Sequence, residues 1–284
     1  MSYEKTVKLL QGGHVMAECG PMRLVITASV GKVPQPEMGM KAAEESFLYL
    51  ERIARLRHLL GRGVPNNSQA IDDPLAKEMV RSVMRTGDKD LTPMAAVAGT
   101  IADAVADYLY ERGMTKVVVN NGGDVSVRLR GGEPVKVGIR PVVGEEACSH
   151  VIQLDSERSS WGIASSGLGG RSFTRGVASA ATIIAETASI ADAAATAAAN
   201  ASFIEDEHVI QRPAEEIDPD TDIPGIPVTV RVGPLSKEKK SRALSSAMEK
   251  TAELVRKQII LGAFVAVDGE FAMSDFFRER LVAS

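Results

Sequence analysis

The sequence predicts an α+β fold in which antiparallel sheets pack against helices. Three observations predict this class. Alternating apolar and polar segments occur in neighbouring pairs typical of β-hairpins, helical segments separate those pairs at irregular intervals, and 284 residues can bury one large core. A regular alternation of single strands and helices would instead indicate a parallel doubly wound sheet. We expect a single domain over residues 1–284, with a division into two subdomains, about 1–115 and 116–284, left open.

The N-terminal elements follow from local patterns. Residues 13–30 alternate around a Gly-Pro pair, which indicates a β-hairpin. Apolar residues recur with helical period from Glu37 to Leu60, and the glycine that follows is typical of a helix end. A loop at residues 65–67 precedes a shorter helix, which opens at Asp72-Asp73-Pro74 with Asp as the cap and Pro in the first turn.

Helices and strands alternate irregularly over the rest of the chain. We predict helices from Thr92 to about Arg112, across the alanine-rich segment 188–202, and from Ser236 to about Lys257. Residues 205–227 combine acidic residues with four prolines, which predicts a solvated acidic loop. The predicted strands, which are short runs of apolar and β-branched residues, cover residues 116–120, 125–130, 135–140, 150–154, 178–185, 227–232 and 259–267.

Charge and cysteine content exclude several classes of protein. The formal net charge is −4 at pH 7, and acidic residues interrupt the basic runs, which argues against a nucleic-acid-binding surface. Cys19 and Cys148 form no C-x-x-C pair, so neither a zinc ribbon nor a disulfide framework is expected. The first residues show no apolar signal region and no run reaches transmembrane length, so we expect a cytoplasmic protein without a membrane partner.

The alanine-rich helix carries a carboxylate and a hydroxyl on one face. Asp192 and Thr196 are four residues apart, which places their side chains about one helical turn apart. With a nearby main-chain carbonyl they form an all-oxygen set that suits Mg²⁺ better than zinc. The alternative is structural. Ser189 and Asp192 match a capping-box pattern, in which Asp192 caps the start of the helix while alanine fills a tight core.

A second segment joins two predicted strands through polar residues and glycines. Its residues are Asn120, Asn121, Gly122, Gly123 and Asp124. The glycines permit positive φ or a close approach of the backbone, and Asn-Gly alone is a strong signal for a hairpin turn. A turn does not require both flanking polar residues, so this segment is read equally as a plain turn or as part of a binding site.

A third segment follows the predicted strand near Gly162. It contains Ser165, Ser166 and Gly167, with Arg171 just beyond. Such a loop can offer backbone N–H groups, hydroxyls and a guanidinium to a phosphate. It matches neither the Walker loop nor G-x-G-x-x-G, and a flexible surface loop is the alternative. The four histidines are scattered and no G-x-S-x-G occurs, so a serine hydrolase is not predicted.

These segments, in this order, resemble the ApbE superfamily, whose best-known members are FAD-dependent FMN transferases that bind Mg²⁺. The resemblance spans roughly residues 90–200. It implies a T-fold-like architecture, with antiparallel sheets packed against helices. The matching motifs are N-x-G-G-D at Asn120–Asp124, V-G-I-x-P at Val137–Pro141, A-S-S-G at Ala164–Gly167, A-D-A-x-A-T at Ala191–Thr196, and a D-L segment with a small-residue helix at Asp90–Asp103.

The resemblance also implies roles for individual residues. Asp192 and Thr196 correspond to the family's side-chain Mg²⁺ ligands and Ala195 to its main-chain carbonyl ligand. The turn at 120–124 and the loop at 165–167, with Arg171, correspond to contacts with the flavin nucleotide, FAD or FMN. The N-terminal hairpin resembles an uncharacterised branch of the superfamily more than a true transferase.

Two departures from the family pattern bear on activity. The lysine of the family's A-K-G motif is absent, because the helix reads Val97-Ala98-Gly99, and no H-I-x-D-P-x-T-G segment follows the Ser-Gly loop. We therefore expect a protein that binds a flavin nucleotide and Mg²⁺, with phosphoryl transfer left open. The alternative is a non-catalytic protein whose ancestral site is lost or holds another small molecule. A homo-oligomer is compatible with either function.

Overall fold

The computed structural model describes residues 3–61, 71–132, 134–143 and 148–282. Its main element is a large sheet in which each strand is antiparallel to its neighbours. From one edge to the other, the strands are β1 (Lys5–Leu9), β2 (Val15–Cys19), β3 (Met22–Val30), β5 (Lys116–Asn121), β6 (Asp124–Leu129), β9 (Ser160–Ser166), β10 (Ala180–Ala185), β13 (Gly262–Val267) and β14 (Glu270–Met273), with β4 (Val33–Pro34) paired to β3.

Helices cover one face of this sheet and a small sheet covers part of the other. The helices on this face are α1 (Pro36–Leu60), α2 (Pro74–Thr86), α3 (Val97–Glu111), α4 (Ala188–Ala201) and α5 (Lys237–Arg256). The short α6 (Asp275–Glu279) packs on the other face through Phe277. The small antiparallel sheet contains β7 (Val135–Ile139), β8 (His150–Leu154) and β15 (Leu281–Val282). A separate hairpin pairs β11 (Val209–Pro213) with β12 (Pro227–Val232).

The core lies in the two layers that this arrangement creates. On the helical face, apolar residues of the sheet such as Leu24 and Ile183 pack against α1 to α5. On the opposite face, Trp161 and Phe264 pack against residues of the small sheet such as Ile152. The α+β class with antiparallel sheets and packed helices, predicted from the paired strands, is therefore confirmed.

Several element boundaries differ from the sequence prediction. The helix expected from Thr92 begins with a 3-10 turn, Pro93–Ala96, before α3 starts. Residues 205–227 are not simply a loop, because β11 and a 3-10 turn, Ala214–Glu216, form within them. The loop expected at residues 65–67 lies outside the described residues.

Helix α4 lies between the sheet and the other helices. Twelve of its fourteen residues are buried, and it contacts β9, β10, α2, α3 and α5. Two glycines make this approach possible: a Cβ at Gly99 would lie 2.2 Å from the Ala188 carbonyl oxygen, and one at Gly162 would lie 2.0 Å from the Thr187 carbonyl carbon. Small residues on α4 and its neighbours thus permit backbone-to-backbone packing at its start.

Helices α3 and α4 cap each other's first turns. Asp103 of α3 accepts hydrogen bonds from the backbone N–H groups of Ala188 (3.0 Å) and Ser189 (2.9 Å), in the first turn of α4. Asp192 of α4 accepts one from the N–H of Gly99 (2.9 Å), in the first turn of α3. Each carboxylate therefore satisfies N–H groups that a helix leaves free at its start.

This arrangement corrects the structural alternative for Asp192. Thr187 is the cap of α4, since its hydroxyl accepts from the N–H of Ile190, and Asp192 lies in the second turn of the helix. The interpretation that Asp192 caps its own helix is wrong. It does have a capping role, but toward a helix that begins 95 residues before it in the chain.

Candidate functional site

The three segments singled out in the sequence come together beside the start of α4. The turn between β5 and β6, the end of β9 and helix α4 each contribute polar groups there. The Asp124 carboxylate accepts a hydrogen bond from the backbone N–H of Ser165, and it interacts electrostatically with Arg171 and with Asp192. Because these residues are up to 68 positions apart in the sequence, the sheet and the packing of α4 create this proximity.

The turn is a tight hairpin whose geometry needs glycine. Gly122 and Gly123 have φ values of 68° and 120°, and Asn121 pairs with Asp124 across the turn. The Asn120 side chain accepts from the N–H of Gly123 (2.9 Å). The buried Asn121 donates through Nδ2 to the carbonyl of Ala98 (3.1 Å), which ties the turn to the first turn of α3. The polar side chains of the turn therefore hold its shape and its contact with α3.

Asp124 lies where a carboxylate is costly to ionise. Burial raises its pKa to about 7, although the Arg171 guanidinium and the Ser165 N–H act in the opposite direction. Burial raises the pKa of Asp192 well above its usual value, and repulsion from Asp124 adds to this effect. The N–H groups of Gly99 and Ala98 lower the pKa of Asp192 in part. Two carboxylates that repel each other in a partly buried site form a natural position for a proton or a cation.

Arg171 lies over the glycine turn. Its guanidinium donates to the carbonyl of Pro21 (2.9 Å), and a Cβ at Gly122 would lie 2.4 Å from its Nη2. The side chain is exposed, so its positive charge borders the site from the solvent side. A glycine at 122 is needed for the turn and also for this position of Arg171.

Ser165 and Ser166, expected in a loop, are the last two residues of strand β9, and they have different roles. The Ser165 hydroxyl pairs with the hydroxyl of Thr182 (2.7 Å), and its contribution to the site is the N–H that binds Asp124. Side chains alternate along a strand, so Ser166 shares the face of Ala164, which packs against α4. The Ser166 hydroxyl is buried without a hydrogen-bond partner among the described residues. Such an orphan group in a native site calls for a bound water, ion or ligand.

The expected metal ligands lie along one face of α4. Thr196 is buried and its hydroxyl donates to the carbonyl of Asp192 (3.3 Å), which leaves the oxygen lone pairs free to accept or ligate. The Ala195 carbonyl lies inside a helix that continues to Ala201, where a regular α-helix uses it to accept the N–H of Ala199. In the described part of the chain, no three His, Cys, Asp or Glu side chains are grouped to hold a metal.

The donor set nevertheless fits Mg²⁺ bound with a phosphate ligand. Magnesium is usually held by one or two carboxylates and completes its shell with water and substrate phosphates. Asp192 and Asp124 offer two carboxylates, and Thr196, one helical turn along α4 from Asp192, offers a hydroxyl. A protein cage with three or more acidic ligands is therefore not required.

Asp103 was missed by the sequence analysis. It is buried on α3, where it binds the first turn of α4, the hydroxyl of Ser126 (2.7 Å) and the guanidinium of Arg128 (3.3 Å). Arg128 is buried as well and also binds Asp107 (2.6 Å). The available signal was a lone carboxylate within the otherwise apolar stretch Ile101–Ala106. A buried charge in such a stretch requires partners from elsewhere in the fold.

A separate cavity of about 530 Å³ lies at the opposite end of α4. Asn200 and Phe203 line it from the end of that helix and the residues after it. Arg175 lines another wall and is bound by the carboxylates of Asp88 (3.0 Å) and Asp90. Among all the residues that the structure describes, no helix is both long and apolar enough to cross a bilayer.

Comparison with other proteins agrees with this fold. A family model described as AbpE bacteria matches residues 7–273. A UPF0280 protein of Methanopyrus kandleri is 41% identical over 145 residues, which cover 51% of this chain and 56% of that protein. One of Methanosarcina barkeri is 35% identical over 137 residues, 47% of this chain and 53% of that protein. The chain thus spans about half the length of the curated relatives it matches.

Solved structures with the same fold cover nearly the whole chain. The flavinyl transferase ApbE of Pseudomonas stutzeri, in its apo form, matches with a TM-score of 0.54 at 13% identity, covering 99% of each chain. The ApbE protein of Thermotoga maritima matches with a TM-score of 0.52 at 13% identity, covering 99% of this chain and 100% of its own. At this level of identity the likeness shows the fold alone.

Proposed function

We propose that this chain, which belongs to the AbpE bacteria family, binds a flavin nucleotide together with Mg²⁺ beside the start of α4. The observation that carries the proposal is the pair of repelling carboxylates, Asp124 and Asp192. The Ser166 hydroxyl, on the face of β9 that packs against α4, is buried without a partner among the described residues and adds to it. A cation relieves the repulsion between the carboxylates, and a ligand oxygen satisfies the hydroxyl. The name of the P. stutzeri neighbour, a flavinyl transferase, directs the choice of nucleotide toward a flavin.

Each element of the site has a part in this proposal. Asp192, Asp124 and Thr196 hold the metal from α4 and the turn, while Arg171 and the Ser166 hydroxyl face the phosphates. When bound, Mg²⁺ offsets the charge of a pyrophosphate and polarises the phosphoryl group. Asn121 acts indirectly, because it fixes the turn against α3 and so positions Asp124.

The proposal covers binding and leaves phosphoryl transfer aside because one residue of the family's A-K-G motif is absent. Gly99 keeps the glycine of that motif, and a Cβ there would lie 2.2 Å from the Ala188 carbonyl oxygen. The lysine of the motif, in contrast, is replaced by Ala98. This observation favours a second candidate function, a non-catalytic protein that binds a flavin nucleotide or another small molecule. Release of AMP from FAD, followed by chromatography, would support transfer instead.

Titration of the purified protein with FAD, with and without Mg²⁺, tests the proposal. We expect quenching of flavin fluorescence that strengthens when Mg²⁺ is present. The variant Asp192→Asn keeps an oxygen that can accept from the Gly99 N–H but loses the charge, and we expect it to abolish the gain from Mg²⁺. Asp275→Asn, at a carboxylate 83% exposed on α6, is the control. Absence of FAD binding at high micromolar concentration would overturn the proposal.

A further inference from the structure

Helix α1 exposes a row of apolar side chains on its outer side. The helix has 25 residues, and its buried residues pack into the core with α3 and the sheet. Met40, Leu48 and Leu59 are 37%, 51% and 39% exposed. A helix turns by about 100° per residue, so these three side chains lie within an arc of about 100°. Single exposed apolar residues are common, whereas a row of them along one helix face is typical of an interaction surface.

Charged side chains on the same face are divided between the two halves of the helix. Glu44 in the first half and Arg55 in the second half are exposed, and both lie within the arc of the apolar residues. Neither side chain forms an ion pair with another described residue. Residues 36–48 carry three glutamates and one lysine, whereas residues 49–60 carry three arginines and one glutamate. The outer face of α1 is therefore acidic toward its start and basic toward its end.

The helix dipole alone does not explain where these charges lie. The dipole favours acidic residues in the first turn and basic residues in the last turn, and its effect is confined to those turns. Glu44 lies eight residues after Pro36, and Arg55 lies five residues before Leu60, so both are outside the terminal turns. A partner with the opposite order of charge would match both halves. The same face of a second copy, running antiparallel, has that order.

We propose that the outer face of α1 binds the same face of a second copy of this chain, with the two helices antiparallel about a two-fold axis. An axis halfway between Glu44 and Arg55 places each of them level with the other residue in the second copy. The same point is halfway between Met40 and Leu59, so these apolar side chains also meet across the axis. Leu48 lies within two residues of the axis and contacts its own counterpart. Such an isologous contact forms every pair twice.

The surface beside α1 adds to the area of this contact. A helix of 25 residues is about 37 Å long and about 10 Å wide, whereas each partner in a standard interface contributes about 800 Å². Where α1 packs against α3, Tyr49 and Tyr108 are partly exposed, and the Arg112 guanidinium stacks over the Tyr108 ring at 3.6 Å. Tyr49 also interacts electrostatically with Arg112. Tyrosine and arginine are enriched among the residues that contribute most to binding at interfaces, so this flank suits the same partner.

Sedimentation velocity of the full chain tests the proposal. We expect a species of twice the chain's mass at low salt, without FAD or Mg²⁺, and weaker association at high salt because exposed ion pairs are screened. Glu44→Arg and Arg55→Glu should each weaken association at least about tenfold, since each reversal turns two attractive pairs into repulsive ones. Glu249→Arg and Arg242→Glu, which reverse exposed charges on α5, are the matched controls and should leave the association unchanged.

An equal mixture of the two reversed chains separates docking from damage to the fold. The Glu44→Arg chain has two cations on this face and the Arg55→Glu chain has two anions, so each should be monomeric alone and the mixture should form a heterodimer. The two positions are 11 residues apart on one helix, about 16 Å, which exceeds the Debye length of about 8 Å at physiological salt. Interaction within one chain therefore cannot produce this recovery.

Leu48→Gln tests the apolar part of the contact. The side chain is already half exposed and glutamine is a good helix former, so the Tm should not change. Association should weaken at least about tenfold, because the lost apolar contact occurs on both copies. A parent chain that remains monomeric at its highest soluble concentration overturns the proposal. So does a dimer that survives both charge reversals, or a mixture that stays monomeric although each reversed chain melts at the parent's Tm.

Discussion

Asp103 offers a sharp test of how the site is built, because one carboxylate joins α3, α4 and β6. Its oxygens accept from the N–H groups of Ala188 and Ser189, from the Ser126 hydroxyl and from Arg128. Its side chain is 11% exposed and that of Arg128 is 6% exposed. Asp103→Ala therefore removes the carboxylate that binds the first-turn N–H groups of α4. It also removes one of the two carboxylates that balance the charge of the buried Arg128 guanidinium.

The expected cost follows from these contacts. Removing one partner of a buried ion pair costs about 3–5 kcal/mol, and losing a helix cap costs about 1 kcal/mol. Arg128 keeps Asp107 at 2.6 Å, so we expect the lower part of the ion-pair range and a total near 4 kcal/mol. For a chain of this size, about 2–4 °C is lost per kcal/mol, which predicts a fall in Tm of roughly 10 °C.

Thermal and urea unfolding followed by circular dichroism measure this effect. Asp107→Ala is the matched control, since it removes the other partner of Arg128, but from a side chain that is 51% exposed. Its cost should stay within about 1 kcal/mol, as for surface ion pairs. Asp103→Asn keeps an oxygen that can accept from the α4 N–H groups, so its cost in stability should lie between those of Asp103→Ala and Asp107→Ala. If Asp107→Ala proved as costly as Asp103→Ala, the reasoning would be refuted.

Three further predictions concern the acidic site and the packing of α4. Without metal, the pKa of Asp124 rises from its usual value to about 7 on folding. The folded state therefore binds the proton more tightly, and stability falls as pH rises between about 4 and 7. Asp124→Asn should flatten that slope and be more stable than the parent at pH 8. If Asp124→Asn lowered the Tm by the same amount at pH 5 and at pH 8, relative to the parent, this prediction would be contradicted. Mg²⁺ should raise the parent's Tm more at pH 8 than at pH 5, because protonated carboxylates do not bind metal, and a pH-independent increment would count against the carboxylates as ligands. Gly162→Ala places a Cβ about 2 Å from the Thr187 backbone and should cost about 1–3 kcal/mol or more, whereas an unchanged melting curve would show that α4 can move away.

Much of the fold was predictable because its elements depend on local pattern. The helical period from Glu37 to Leu60 matches α1, and Asp73 caps α2 through the N–H groups of Leu75 and Ala76. The elements that were missed are short or irregular, such as β11 within the acidic segment and β15 of two residues. Such strands are stabilised by the partner they pair with and carry little period of their own.

The sequence by itself determined the residue types at the site. Asn120–Asp124, Ser165–Gly167 and Asp192 are recognisable because glycine turns, hydroxyls and lone carboxylates are local features of the chain. Only the tertiary structure decided what those groups do. Asp192 caps α3 and not its own helix, and Ser166 is the serine that faces α4. The physical reason is that a helix start, or a buried charge, can be satisfied by any group that packing brings near it. The partners of Asp103 on α4 lie 85 and 86 residues away along the chain, a distance over which local pattern carries no information.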